Sequence, residues 1–300
     1  MISMPLSRRS WFEASARARL GGLLDAGSFR EFLPPSSSQP SPHLARLDIP
    51  GAFDDGVIVG AGSLSGQEVL VIAQEGLFMG GAVGEIHGAK IVGLLRRALL
   101  EEPRAVLFLI DSGGVRLHEA NAGLIAISEI MRAVLEVRAG GIPVLALVGG
   151  SCGAFGGMGI VAKLCSAVLI SEEGRLALSG PEVIETVAGV EEFDSKDRAL
   201  VWRVTGGKHR YLMGDCAELV EDDVASFREA AVACVTAVTH DVSTLESLQA
   251  RQHRLEQRIE RFAGFNDGLD VWRSLGIEQP ESVPMLDRGA TVALKGRMEA

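Results

Sequence analysis

No two cysteines in this 300-residue sequence are spaced C-x-x-C. The four present, Cys152, Cys165, Cys216 and Cys234, are scattered, which argues against a zinc ribbon and leaves no metal site in view. Scattered thiols suit a reducing cytosol better than a secreted disulfide scaffold. Long apolar runs are also missing. None approaches the roughly 18 residues that would suggest a membrane span. Arg8, Arg9, Arg17 and Arg19 crowd the start of the chain, yet no uninterrupted apolar segment follows them. No secretory signal is read there, and a cytoplasmic location is expected. Positive charge is in deficit, with a formal net charge of −10. Bulk attraction to nucleic acid or to an anionic membrane is therefore not expected, and an anionic ligand would need a local cationic patch. No G-x-x-x-x-G-K-[ST] phosphate loop occurs. No G-x-S-x-G elbow surrounds Ser112, which argues against serine-hydrolase chemistry. No internal repeat is evident.

Glycine, in contrast, is abundant: 36 residues, above the average usage of roughly 7%. With no Gly-X-Y period, the excess belongs to loops and close packing. Residues 10–24 have helical periodicity. A Pro/Ser-rich linker, PPSSSQPSP at 34–42, follows and reads as lacking fixed structure, so this helix would dock loosely or on a partner. Gly56–Leu64 and Val69–Gln74 read as a hairpin turning at Ser65-Gly66. A glycine-rich loop from Gly80 runs into a helix with an apolar stripe at Ile91, Leu94, Leu95 and Ala98, ended by Pro103. Apolar runs at Val106–Ile110, Val144–Val148 and Ala167–Ser171 alternate with helical segments, which predicts an α/β layered fold with right-handed crossovers. Pro181 opens a further helix that Gly189 closes, and Asp194 or Ser195 can cap the next. Residues 205–223 look mixed, with short β-like pieces. Two amphipathic helices come next, and the second carries Leu245, Leu248, Leu255 and Ile259. Packing on its own domain is the favoured reading of that stripe, with a partner helix as the alternative. The tail after Gly264 looks irregular.

Two glycine pairs, Gly113-Gly114 and Gly156-Gly157, each follow an apolar strand-like run. Glycine there lets backbone N–H groups face a ligand, so two such loops brought together could hold a developing oxyanion. For either pair alone a tight turn is the favoured reading; taken together, at the ends of adjacent predicted strands, the two readings stand level. Lys90, Arg96 and Arg97 follow the Gly80-Gly81 loop and could meet phosphates, or simply form a solvated helix face. His87, His118 and Glu119 are acid–base candidates by residue type.

The strings GGAVGEIHGAKI (80–91), DSGGVRLHE (111–119) and SGPEVIETV (179–187) resemble, in order, the motifs of the acyl-CoA carboxyltransferase family. There they read roughly GGSxGExHGxKI, DSGGARxxEG and xGPxVIxxxxG. The resemblance covers residues 10–240. It implies a crotonase-type (ClpP/crotonase) spiral of ββα units over 48–240. An N-terminal helix and linker (1–47) would precede it, and a C-terminal helical extension and tail (241–300) would follow. It implies that an acyl thioester binds and that its enolate oxygen is held by backbone N–H groups at Gly113, Gly114, Gly156 and Gly157. The second loop departs from the family's GPxxGG in being longer. Gly80, Gly81, Lys90 and Arg96 would meet the thioester's phosphopantetheine arm, and His118 and Glu119 are the local acid–base candidates. With one crotonase-type half and no zinc-binding cysteines, the chain is similar to subunits of the family's biotin-independent branch. Those decarboxylate malonyl thioesters. That likeness implies no permanently bound cofactor and a phosphopantetheine thioester on an acyl carrier protein, with coenzyme A taking the same site. It also implies a γ subunit carrying the other half-site and an α-subunit transferase. Alternatives are the acyl-binding subunit of a biotin-dependent carboxyltransferase and a non-catalytic scaffold.

Overall fold

The computed structural model describes residues 10–237 and 244–299. Helix α1 (Ala16–Leu23) and the short strand β1 (Arg30–Glu31) lead through α2 (Pro42–Arg46) to a hairpin of β2 (Val57–Leu64) and β3 (Gln67–Gln74). Ser65 and Gly66 both have positive φ, 52° and 78°. This is the two-residue turn whose twist matches its flanking strands. Then α3 (Glu85–Glu101), β4 (Ala105–Ile110), α4 (Ala122–Ala139), β5 (Val144–Val148), α5 (Gly157–Leu164) and β6 (Ala167–Ser171) alternate. Helices α6 (Pro181–Ala188), α7 (Arg198–Thr205) and α8 (Gly207–Leu212) precede β7 (Glu218–Val220) and α9 (Val224–Ala237). The chain closes with α10 (Leu245–Phe262), α11 (Gly268–Ser274) and α12 (Arg288–Glu299).

Among the described residues seven strands form one sheet in sequence order, antiparallel from β1 to β3 and parallel from β3 to β7. After each inner parallel strand the chain makes a single-residue bridge before its helix. The bridges Val83–Val115, Ser112–Ala154 and Ala154–Leu176 form a second, minimal layer. Strand, bridge, helix, repeated along one axis, is the ββα spiral of the crotonase-type fold.

Strand β4 shows why this sheet needs cover on both faces. All six of its residues are buried. Val106, Phe108 and Ile110 point into a core shared with α3, α4 and α5, while Ala105, Leu107 and Leu109 point into a second core with α1 and α9. Period-two burial on both sides makes the strand an unbroken apolar run.

Several expectations are corrected. Helix α1 is not loosely docked: Trp11, Leu20 and Leu23 are buried in the second core, and Trp11 stacks on Phe227 at 4.0 Å. The Pro/Ser segment is folded. Pro35–Ser37 make a 3-10 turn, and the buried Ser41 caps α2 and donates its N–H to Asp55. Asp197, rather than Asp194 or Ser195, caps α7. Residues 205–223 are mixed, as expected, with α8 ahead of the short strand β7. The tail is helical, with Trp272 and Val283 at the centre of a third apolar cluster. Helix α10 buries none of its residues against the described chain, so the favoured reading of its stripe fails. The expected boundary at 240/241 falls within 238–243, outside the described residues.

Candidate active site

Strands β4 and β5 are parallel neighbours with Ile110 opposite Val148, so the loops leaving their C-terminal ends start side by side. The loops are then laced together. The Ser112 N–H donates to Gly153 O at 2.7 Å, and the Phe155 N–H donates to Ser112 O at 3.0 Å. Gly114 and Gly156 face each other so closely that a Cβ on Gly156 would lie 3.3 Å from Gly114 Cα. Both have positive φ, 131° and 58°, a backbone state that favours glycine. The two predicted glycine pairs therefore meet, although Gly114 and Gly156 are 42 positions apart in the chain.

The four N–H groups do not share one fate. That of Gly113 donates to Gly80 O and that of Gly156 to Leu178 O, each at 2.8 Å, so both are engaged in holding the loops. Gly114 N–H donates to the Ser112 hydroxyl at 3.2 Å, within its own loop. Gly157 N–H, at the first position of α5, has no acceptor among the described residues, and neither has Val115 N–H. A free N–H at a helix start favours negative charge.

Asp111, just before the first pair, ties both loops to the floor of the site. One carboxylate oxygen accepts Arg19 Nη1 at 2.9 Å, and the other accepts the Cys152 N–H of the second loop at 2.7 Å. Burial pushes its carboxyl pKa up, and Arg19 opposes that push. Beneath the Gly80 loop lies a second buried network. Arg116 Nη1 sits 2.8 Å from Asp55 and 3.0 Å from Glu119, and all three side chains are fully buried. Asp55 accepts the His87 N–H at 3.0 Å, and Glu119 accepts the Glu85 N–H at the start of α3 at 2.7 Å.

Glu119 therefore caps α3 and pairs with Arg116. Burial raises its pKa, but the Glu85 N–H and Arg116 outweigh that and hold it below the usual carboxylate range, so it is a structural carboxylate and not a proton donor. Burial drives His87 down to about 3, which keeps it neutral. Lys90 does not face the loops. Its ammonium is buried and donates to Asp54 O at 2.7 Å and to Val57 O. Arg96 lies on the exposed outer face of α3, 3.5 Å from Glu129 of α4. The cationic pair expected for phosphates is thus not assembled here. Gly81 packs on the Asp111 carbonyl, where a Cβ would come within 1.8 Å, whereas Gly80 borders open space. His118 is exposed beside the first loop.

Sequence reading missed Arg19, Asp111 and Arg175. The guanidinium of Arg175 lies between Phe155 (5.5 Å) and Trp202 (4.9 Å) and donates to the Ser151 carbonyl of the second loop. Asp111 was marked only as the first residue of the 111–119 motif, and Arg19 and Arg175 only by their charge, because their partners are distant in sequence. The rim is apolar and uncovered: Leu117 follows the first loop with 83% of its surface exposed, and Leu178 abuts Gly156 with 65% exposed. Among the described residues no cluster of His, Cys, Asp and Glu is disposed to hold a metal ion.

A family model for the carboxyl transferase domain matches residues 13–252. The sequence is 40% identical to the malonyl-S-ACP:biotin-protein carboxyltransferase MADC of Malonomonas rubra, over 98% of each chain. The structure is similar to a chain of a Pseudomonas malonate decarboxylase hetero-tetramer in complex with malonate. The TM-score is 0.80 and the identity 40%, covering 90% of this chain and 98% of that one. For a Pseudomonas malonate decarboxylase MdcD-MdcE hetero-dimer the TM-score is 0.67 and the identity 37%, covering 85% and 100%. The ββα spiral, the facing glycine loops and a match across most of its length make the chain a member of the carboxyl transferase domain family.

Proposed function

We propose that this chain is the β subunit of a malonate decarboxylase and that it decarboxylates a malonyl thioester carried on an acyl carrier protein. The bond between the carboxyl carbon and C2 breaks, carbon dioxide leaves, and the electron pair moves into the thioester as an enolate. The enolate oxygen sits between the Gly114 and Gly157 N–H groups, with Gly113 and Gly156 holding those donors in place. C2 then takes a proton, giving the acetyl thioester. Preorganised N–H donors in a water-poor site stabilise charge that develops only in the transition state. The observation that carries this reading is the meeting of the two loops, with the Gly157 N–H unengaged at the start of α5. Similarity over 90% of its length to a chain of a Pseudomonas malonate decarboxylase hetero-tetramer supports it.

The phosphopantetheine arm would run past Gly80, which borders open space, and coenzyme A would take the same path. His118, exposed near the loop, is the remaining local candidate for delivering the proton. The partners are a γ subunit supplying the other wall, an α-subunit transferase and the carrier protein. The uncovered rim at Leu117 and Leu178 and the stripe on α10 support a chain that is completed by others. Cytoplasmic assembly fits four free cysteines.

A second reading has its own support, the 40% identity to a carboxyltransferase whose named acceptor is a biotin protein. Bond cleavage and enolate are shared by both readings. They differ in whether the carboxyl group is released or handed to biotin. The chain, co-expressed with its neighbouring subunits, should turn malonyl-carrier protein into the acetyl form with carbon dioxide released and no effect of avidin. Avidin inhibition would move the assignment to the biotin-dependent reaction. Binding of the thioester without turnover would leave a scaffold.

A further inference from the structure

We infer that the buried Arg19–Asp111 pair is a positioning device that sets the distance between the two oxyanion loops, so that the N-terminal segment belongs to the active-site machinery. The inference rests on the oxyanion reading above.

Asp111 touches all three loops of the site. Its own peptide opens the first loop, and its carboxylate accepts the Cys152 N–H of the second. Its carbonyl lies against Gly81 of the third. Its side chain fits where no other residue leaves room, since a Cβ on Gly150 would fall 2.1 Å from the carboxylate and one on Gly76 2.7 Å. Arg19 fixes the remaining oxygen. It is held in turn by Trp11 O at 2.8 Å and Phe12 O at 3.4 Å. The segment that carries it is anchored from two sides, by Trp11 stacking on Phe227 and by the Ala16 N–H on Glu75 at 3.0 Å.

Stability alone does not account for this arrangement. A buried ion pair is worth little net over an apolar pair of the same shape, because desolvation offsets the attraction. What the pair adds is geometry. Removing Arg19 frees the carboxylate to turn away from Cys152, and the second loop then loses its registration against the first. A displacement near 1 Å between catalytic donors costs on the order of 100-fold in rate.

The test uses the assembled hetero-oligomer and malonyl-carrier protein. For Arg19→Met, kcat should fall about 100-fold while KM stays within about threefold. Added methylguanidinium should restore part of the rate, and Arg19→Lys should fall between the two. Amide exchange should quicken at 152–157 in Arg19→Lys and stay unchanged in β4 and β5. Should Arg19→Met not assemble, Arg19→Lys carries the test through kcat and exchange together. An unchanged kcat per assembled complex with only a lower melting temperature would overturn the inference, as would a rise in KM at constant kcat. Failure of the wild-type complex to consume malonyl thioester would instead overturn the functional reading, before any variant is made.

Discussion

The strand-end loops and helix α10 handle charge and apolar surface in opposite ways. Around the loops, charged groups are buried and paired: Arg19 with Asp111, and Arg116 with Asp55 and Glu119. On α10, Leu245, Leu248, Leu255 and Ile259 lie on the surface, each at least half exposed. The helix is tied back chiefly by Arg258 on Asp215 at 3.0 Å and Arg261 on the Ser274 carbonyl at 2.6 Å. The buried charge network of one region is finished within the chain. The other presents an amphipathic face that nothing in the described chain covers. A half-site that must hold two N–H donors still needs the first kind of construction, and a subunit that joins others needs the second.

The largest effect should come from breaking the finished region. Arg116→Met leaves two buried carboxylates without a cation and should cost about 3–5 kcal/mol, read as a lower urea midpoint. A loss below about 1 kcal/mol would show that the network is not holding the loop floor. Acid should probe the same contrast more gently. Burial lowers both His87 and His209 to about 3 from an ordinary value of 6.5. The folded chain thus binds fewer protons than the unfolded one. This contribution is complete above pH 6.5 and is lost as pH falls toward 3. Between pH 7.5 and 5.5 the loss should be about 1.4 kcal/mol per histidine, and a flat urea midpoint over that range would contradict the burial of both rings. The smallest change in stability belongs to α10. Leu248→Ser with Leu255→Ser should leave the isolated chain within about 0.5 kcal/mol of wild type. The same pair should weaken assembly with the partner subunits, measured by analytical ultracentrifugation. A clear loss of chain stability would mean that the stripe is covered from within.

The α/β layering was legible because β4 and β5 are unbroken apolar runs, as parallel strands buried on both faces must be, whereas the spiral itself was implied only by the motifs shared with the carboxyltransferase family. The facing of Gly114 and Gly156 followed from strand order. Which N–H groups stay open did not, because the acceptors for Gly113 and Gly156 are carbonyls of Gly80 and Leu178, in other repeats. Lys90 was misjudged by residue type. It stands four residues before Leu94 on the buried face of α3, and that periodicity outweighs its charge. Arg19 and Asp111 are 92 positions apart, so no local pattern links them. The tail hid α11 and α12 because both are short and their apolar anchors, Trp272 among them, pack against each other at long range.

The central claim is that an unengaged N–H at the start of α5 stabilises the enolate. Proline suits a first helical position and removes only that N–H. At residue 157 its ring needs room, since a Cβ there would lie 2.5 Å from Ile127. The measurement is therefore kcat for malonyl-carrier protein decarboxylation by the Gly157→Pro/Ile127→Ala complex, set against Ile127→Ala alone. The account predicts a fall of about 100- to 1,000-fold with KM within about threefold. A kcat within about threefold of the Ile127→Ala complex, with the N–H gone, would contradict it.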